Sequence, residues 1–308
     1  MRAALQTLCD QFLQNRNTIK AAFRWHSGYM VPVCAHLFAA GGRMASADAL
    51  LRCKDVVKQG AKWYSPFRGN VNLPLLCVLS MAPDPAHAFR RMDDTYRAFR
   101  AHFPFSDHLA LAAVLTEKDT DATQLAQRAR GLWDRIRKEH PFLTGPEDTL
   151  FSLLLARMDQ TDDELIRDME ESYLLLKSRF GNVNWTQSVS HVLALQKGTP
   201  QEKTARLFDL YDAISLAGGR YGKAYELPAL AAFCALGADV RTAAMDIMDV
   251  DLFLSQQEGY GFFGMGKQTR LMHAIMIVSG EYARTAAMDS ALLSSMLSLI
   301  IAQQQAAT

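Results

Sequence analysis

The chain has 308 residues, 49% of them hydrophobic, so it can bury a large core, and its net charge of +1 comes from mixed signs without a basic block. That balance gives no reason to expect a nucleic-acid or other polyanionic partner. Five cysteines (Cys9, Cys34, Cys53, Cys77, Cys234) are odd in number and lack CxxC spacing, which argues against a disulfide framework or a zinc site and for a reducing compartment.

Residues 3–22 read as a leading amphipathic helix, with Leu5, Leu8, Phe12 and Ile19 on one face. No long apolar core follows the N-terminal basic residue, so no signal peptide is expected. From residue 23 to 305 two kinds of helix alternate. The stretch 144–181 shows the unit. Leu150, Phe151, Leu153, Leu154, Leu155 and Met158 make one helix apolar nearly all round, which must be buried. After a short polar turn, Leu165, Ile166, Met169, Tyr173 and Leu176 fall at helical spacing among charges. The expected buried helices are 29–40, 73–81, 108–116, 149–158, 186–195, 227–236 and 270–278. Their late positions Phe38, Leu79, Leu115, Leu155, Leu193, Cys234 and Ile277 are separated by 41, 36, 40, 38, 41 and 43 residues. An aromatic in each partner helix (Tyr96, Trp133, Tyr173, Tyr211), expected in the core, keeps the same rhythm at 37, 40 and 38. RTAAMD at 241–246 recurs at 284–289. A period of about 40 residues with two helices per period signals a helical-repeat fold. Thr144 with Glu147, Thr161 with Glu164 and Thr199 with Glu202 have capping-box spacing, and Pro85, Pro146 and Pro200 suit first helical positions.

The turns out of the buried helices are short, whereas the connections into them are longer and rich in Gly, aromatic and basic residues. Residues 60–72, 102–107, 140–148, 181–185, 218–226 and 259–269 are the loops concerned, and they should share one rim. Helix N-termini present free N–H groups and partial positive charge, so this rim is where a small molecule, above all an anion, is expected. Trp63, Arg68, Asn72, Trp185, Tyr221, Lys223, Lys267 and Arg270 are the candidate ligand-binding residues. Against each stands a plainer role in packing or turns, as for their neighbours Lys62, Tyr64, Asn70, Asn182, Asn184, Arg220 and Tyr225.

Residues 259–267 satisfy GxGxxG and GxxxxGK, but Gln268 stands where a phosphate loop needs Ser or Thr, and a helix precedes instead of a strand. Asp107, Glu147, Asp148 and Glu226 begin buried helices. Two such carboxylates facing each other would suit glycoside hydrolysis, while capping is the plainer role. His36, His191 and His273 read as hydrogen-bonded core residues, and no metal or cofactor is expected. Residues 291–302 are too short to span a bilayer.

HPFLTGPEDTLFSLLLA at 140–156 resembles the signature of an uncharacterised bacterial domain-of-unknown-function family found in Firmicutes. The resemblance covers most of the chain and departs at Glu147–Asp148, where the family carries two aspartates. It implies a bacterial, cytoplasmic, all-α protein and assigns no activity or residue.

The expectation is an all-α single domain of about seven αα-hairpin repeats, with residues 1–22 as cap, forming a curved solenoid or a closed α/α toroid. Its expected function is a binding or scaffold module for a peptide or small ligand at the loop rim. An α/α-toroid enzyme acting on carbohydrate is the alternative, leaving open whether the chain is an enzyme. A structural homo-oligomer joined through residues 292–301 is the third reading. No nucleic-acid or membrane partner is expected, and the location is cytoplasmic.

Overall fold

A computed structural model describes residues 1–23, 30–116, 120–139, 145, 148–181, 184–261 and 264–285. Among the described residues the chain is all-helical. The helices are α1 (Ala3–Ala22), α2 (Met30–Ala40), α3 (Ala47–Gly60), α4 (Asn72–Ser80), α5 (Pro85–Arg100), α6 (Asp107–Leu115), α7 (Ala122–Glu139), α8 (Asp148–Leu155), α9 (Asp162–Phe180), α10 (Asn184–Ala194), α11 (Pro200–Leu216), α12 (Leu227–Cys234), α13 (Val240–Ser255) and α14 (Lys267–Thr285). None of them is long and apolar enough to cross a membrane. Thr144, Glu147, Asn182 and residues 292–301, all named above, lie outside the described residues.

Short buried helices alternate with longer two-faced ones from α4 to α13. Every residue of α8 is buried, as are Leu109 to Leu115 of α6. The two-faced helices start on side-chain caps: Ser46, Asp84, Asp121, Thr161, Thr199 and Asp239 each accept from a backbone N–H in the first turn. Each such bond satisfies one of the helix's orphan donors. Thr199 and Thr161 form reciprocal capping boxes with Glu202 and Glu164, as their spacing predicts. Helix α14 is longer than expected. It begins at Lys267, three residues before Arg270, and runs on to Thr285.

The chain divides into two compact units. Unit 1 comprises Met1–Asn17, Ala35–Met44 and the chain from Asp168; unit 2 comprises Thr18–Cys34 and Ala45–Arg167.

In unit 2, α6 packs against both α4 and α8, while α5 packs against α3 and α7. Arginines on the two-faced helices reach the carbonyls that end the buried ones. Arg91 donates to the Thr116 carbonyl at 2.9 Å. Arg128 donates to those of Ala156 (3.1 Å), Met158 (2.7 Å) and Gln160, while its Nε meets Asp162 at 2.9 Å. Such cations satisfy orphan carbonyls and oppose the negative end of the helix dipole. Trp133, expected in the core, is half-buried, with the guanidiniums of Arg130 and Arg137 4.8 and 5.3 Å from its ring. Two cations on one indole hold it at the surface of the unit.

In unit 1, α12 packs against α10 and α14, and α13 against α11 and α14. The start of α1 reaches α13: Arg2 makes two hydrogen bonds to Asp246 (3.1 and 2.5 Å) and the N-terminal ammonium lies 2.8 Å from Asp249. Lys203, 4% exposed, donates to both oxygens of Asp168 at 2.7 and 2.5 Å. His36 and His273 are fully buried. His273 Nδ1 shares a 2.8 Å hydrogen bond with the Tyr260 hydroxyl, the partner expected of a core histidine. His36 departs from that expectation: neither ring nitrogen has a hydrogen-bond partner among the described residues. Gly280 makes room for it, since a Cβ there would stand 3.2 Å from His36 Cε1.

Candidate functional site

The site is built where α11 turns into the next connection and where α13 and α14 pack side by side. The chain leaves α11 through Gly218, whose φ of +91° suits glycine. Gly219 follows in a gap that fits no side chain. A Cβ would lie 2.6 Å from Ile214 Cγ2 and 2.9 Å from Met248 Sδ. This close turn brings Arg220 to the same pocket as the start of α14. One helical turn of α13 supplies Met248 and Asp251, and one of α14 supplies Lys267, Arg270 and Leu271. Together with Gly218, Gly219 and Arg220 they line a half-open cavity of about 370 Å³ within unit 1.

Arg270 donates through Nε to Asp251 Oδ1 at 2.8 Å and through Nη2 to Oδ2 at 2.9 Å, a two-pronged pair mostly shielded from solvent. The Asp251 hydrogen bonds raise the Arg270 pKa, so this cation is permanent. Arg220 and Lys267 are exposed and have no partner among the described residues. Met248 and the buried Leu271 form an apolar wall beside them.

The family model described as "Protein of unknown function (DUF4003)" matches residues 15–306. The chain belongs to the DUF4003 family. No curated protein and no solved structure matches it.

The remaining expected site residues of this DUF4003 chain take other places. Tyr221 is buried. Its hydroxyl donates to the Glu226 carbonyl at 2.5 Å and its own carbonyl accepts from Tyr211 at 3.2 Å, so it braces the loop before α12. Lys223 is exposed in the same loop. Trp185 is half-buried and meets Tyr225 edge-on at 6.3 Å, and the Tyr225 hydroxyl lies 2.8 Å from Thr269 Oγ1 in the first turn of α14. In unit 2, Trp63 is 83% exposed and edge-on to Tyr64 at 5.5 Å. Arg68 donates to the Lys58 carbonyl, and the Asn72 side chain donates to the Phe67 carbonyl at 2.8 Å. Lys267 and Arg270 therefore share the cavity, and Trp63, Arg68 and Asn72 belong to a different loop in the other unit.

The carboxylates at buried-helix starts are engaged locally. Asp148 accepts from Gly145 N–H at 2.7 Å and Glu226 from Ala224 N–H at 3.2 Å. Asp107 accepts from the Asn70 side chain at 3.0 Å. Burial pushes the Asp107 carboxyl up, against that bond. Burial also holds the neighbouring His108 down to about 4, against the raising influence of Asp148. The residues that sequence reasoning missed are Met248, Asp251 and Leu271. Each sits at an ordinary helical position, and only the pairing of α13 with α14 gives it meaning.

Proposed function

We propose that the chain is a small-molecule binding module whose ligand occupies the unit 1 cavity between Arg220, Met248, Lys267 and Arg270. The observation that carries this reading is the convergence of three cationic side chains, from a loop and a helix start, on one concave space with an apolar wall. Its volume of about 370 Å³ is in the range of small-ligand sites and too small for a folded partner. That favours a metabolite over a peptide.

Two further readings go with it. Local engagement of Asp107, Asp148 and Glu226 favours a binding role over carbohydrate hydrolysis. The regular spacing of the helix caps supports one array of αα repeats forming a single domain.

The test is methyl NMR of the full chain labelled at methionine, with the Met248 signal assigned by Met248→Leu. Organic acids, phosphate esters, sugars and nucleosides are screened. At least one class should move the Met248 signal in a saturable way. If every ligand that binds leaves that signal in place, the reading fails.

A further inference from the structure

Resting on that cavity reading, we infer that its ligand is a compact dianion, a phosphate monoester or a dicarboxylate, and that Asp251 is the ligand's built-in competitor. Charge is the first argument. Arg220, Lys267 and Arg270 bring three positive charges to the cavity and Asp251 brings one negative, leaving two uncompensated. A monoanion neutralises half of that excess, and a dianion all of it.

The backbone adds to the same sign. The first internal bond of α14 runs from Arg270 N–H to the Gly266 carbonyl at 3.0 Å. The N–H groups of Lys267, Gln268 and Thr269 therefore precede the helix's own ladder, at its positive end. Acids are the residues that suit such a position, and the first turn of α14 has none. It carries Lys267 and Arg270 instead, an arrangement that costs the helix stability. Charges placed against the dipole and converging on a cavity mark a site built for an anion.

Asp251 gives the finer detail. Its carboxylate takes the Nε–Nη2 edge of Arg270 in the two-pronged geometry that an incoming carboxylate or phosphate would use. A ligand must displace it or settle for the remaining guanidinium edge together with Lys267 and Arg220. Asp251 therefore sets a threshold that weakly charged anions do not pass, which makes it a specificity-determining residue. The cavity's size excludes long polyanions, and Met248 and Leu271 leave room for a short organic body beside the charges.

The experiment compares succinate with acetate and methyl phosphate with dimethyl phosphate, by calorimetric titration of the full chain at fixed pH and ionic strength. Each dianion should bind at least about tenfold tighter than its monoanionic counterpart, well within what one more charge can contribute at close range near a surface. The tighter of succinate and methyl phosphate identifies the source of the dianion. Lys267→Ala and Arg220→Ala should each lose most of that preference, and Asp251→Asn should tighten both dianions. Should Asp251→Asn not fold, Asp251→Ser takes its place. Equal binding of dianions and monoanions overturns the inference while leaving the cavity reading intact if the Met248 signal still moves. A Met248 signal that no ligand moves overturns the cavity reading itself. Weaker binding by Asp251→Asn, with the fold preserved, shows Asp251 positioning Arg270 and ends its role as competitor.

Discussion

Replacing His36 by leucine should make the protein markedly less sensitive to acid. In an unfolded chain an imidazole titrates near pH 6.5. In unit 1, burial pushes His36 down to about 4. His273 is held down to about 3 by burial first, with the charges of Arg16 and His36 adding to it. Both groups have folded pKa values below the unfolded one, so the unfolded state takes up protons first as the pH falls. Stability is therefore full above about pH 7. It falls by about 1.4 kcal/mol per pH unit for each histidine below 6.5, until the folded ring itself protonates. At pH 4.5 the two together have removed on the order of 5 kcal/mol, comparable to the whole stability of many domains. In His36→Leu one of the two protons disappears. Between pH 6 and 4.5 the variant's stability should fall about 1.4 kcal/mol per pH unit less steeply than that of the native chain. Near pH 7 it should match or exceed the native chain, because two desolvated ring nitrogens without partners have been removed. Urea unfolding followed by circular dichroism at half-unit pH steps measures both slopes. Parallel curves would falsify the reasoning, since they would mean that His36 is already protonated or satisfied in the folded state.

Other consequences concern packing and caps. Arg128→Ala should cost about 2 kcal/mol, measured by chemical unfolding, because it leaves the carbonyls of Ala156, Met158 and Gln160 without their donor. Lysine at this position should recover little of that loss, since one ammonium cannot span the set. Gly219→Ala should destabilise by about 1–3 kcal/mol through its clash with Ile214 and Met248, and should also weaken any ligand of the cavity. Thr199→Ala should cost about 1 kcal/mol by opening the box with Glu202, and Thr199→Ser should restore most of it.

The alternation of buried and two-faced helices was legible because it rests on local periodicity. Caps were partly so. Thr161 and Thr199 announce themselves by a glutamate three residues on and Asp84 by the proline after it, whereas Ser46 and Asp239 carry no second signal and look like ordinary polar residues. The arginine contacts were invisible, since Arg128 serves carbonyls 28 to 32 residues away and only packing brings them together. At the candidate site the charged half could be read from α14, where Lys267 and Arg270 follow a glycine-rich loop. Asp251 could not, because a lone aspartate in a two-faced helix is indistinguishable from a solvated one until its partner is known. Tyr221 misled for a related reason. An aromatic ring in a Gly-rich loop suggests a ligand, but here its hydroxyl completes the loop's own backbone bonding.

The charge pattern at helix starts separates fold from function. Helix α9 follows the structural rule, with Asp162, Asp163 and Glu164 in its first turn and Lys177 and Arg179 in its last. Helix α14 reverses it at its start, with Lys267 exposed and without a partner among the described residues. If Lys267 served the fold, replacing it would weaken the protein. If it serves an anion, Lys267→Glu should stabilise the ligand-free protein by about 0.3–1 kcal/mol, the usual worth of an acid at a helix N-terminus. The same change should abolish binding of succinate and methyl phosphate. Thermal unfolding with and without the two anions reads both effects on one sample. A variant less stable than the native chain, or one that keeps its anion affinity, would place Lys267 in the scaffold and remove the strongest reason for a ligand at this end of α14.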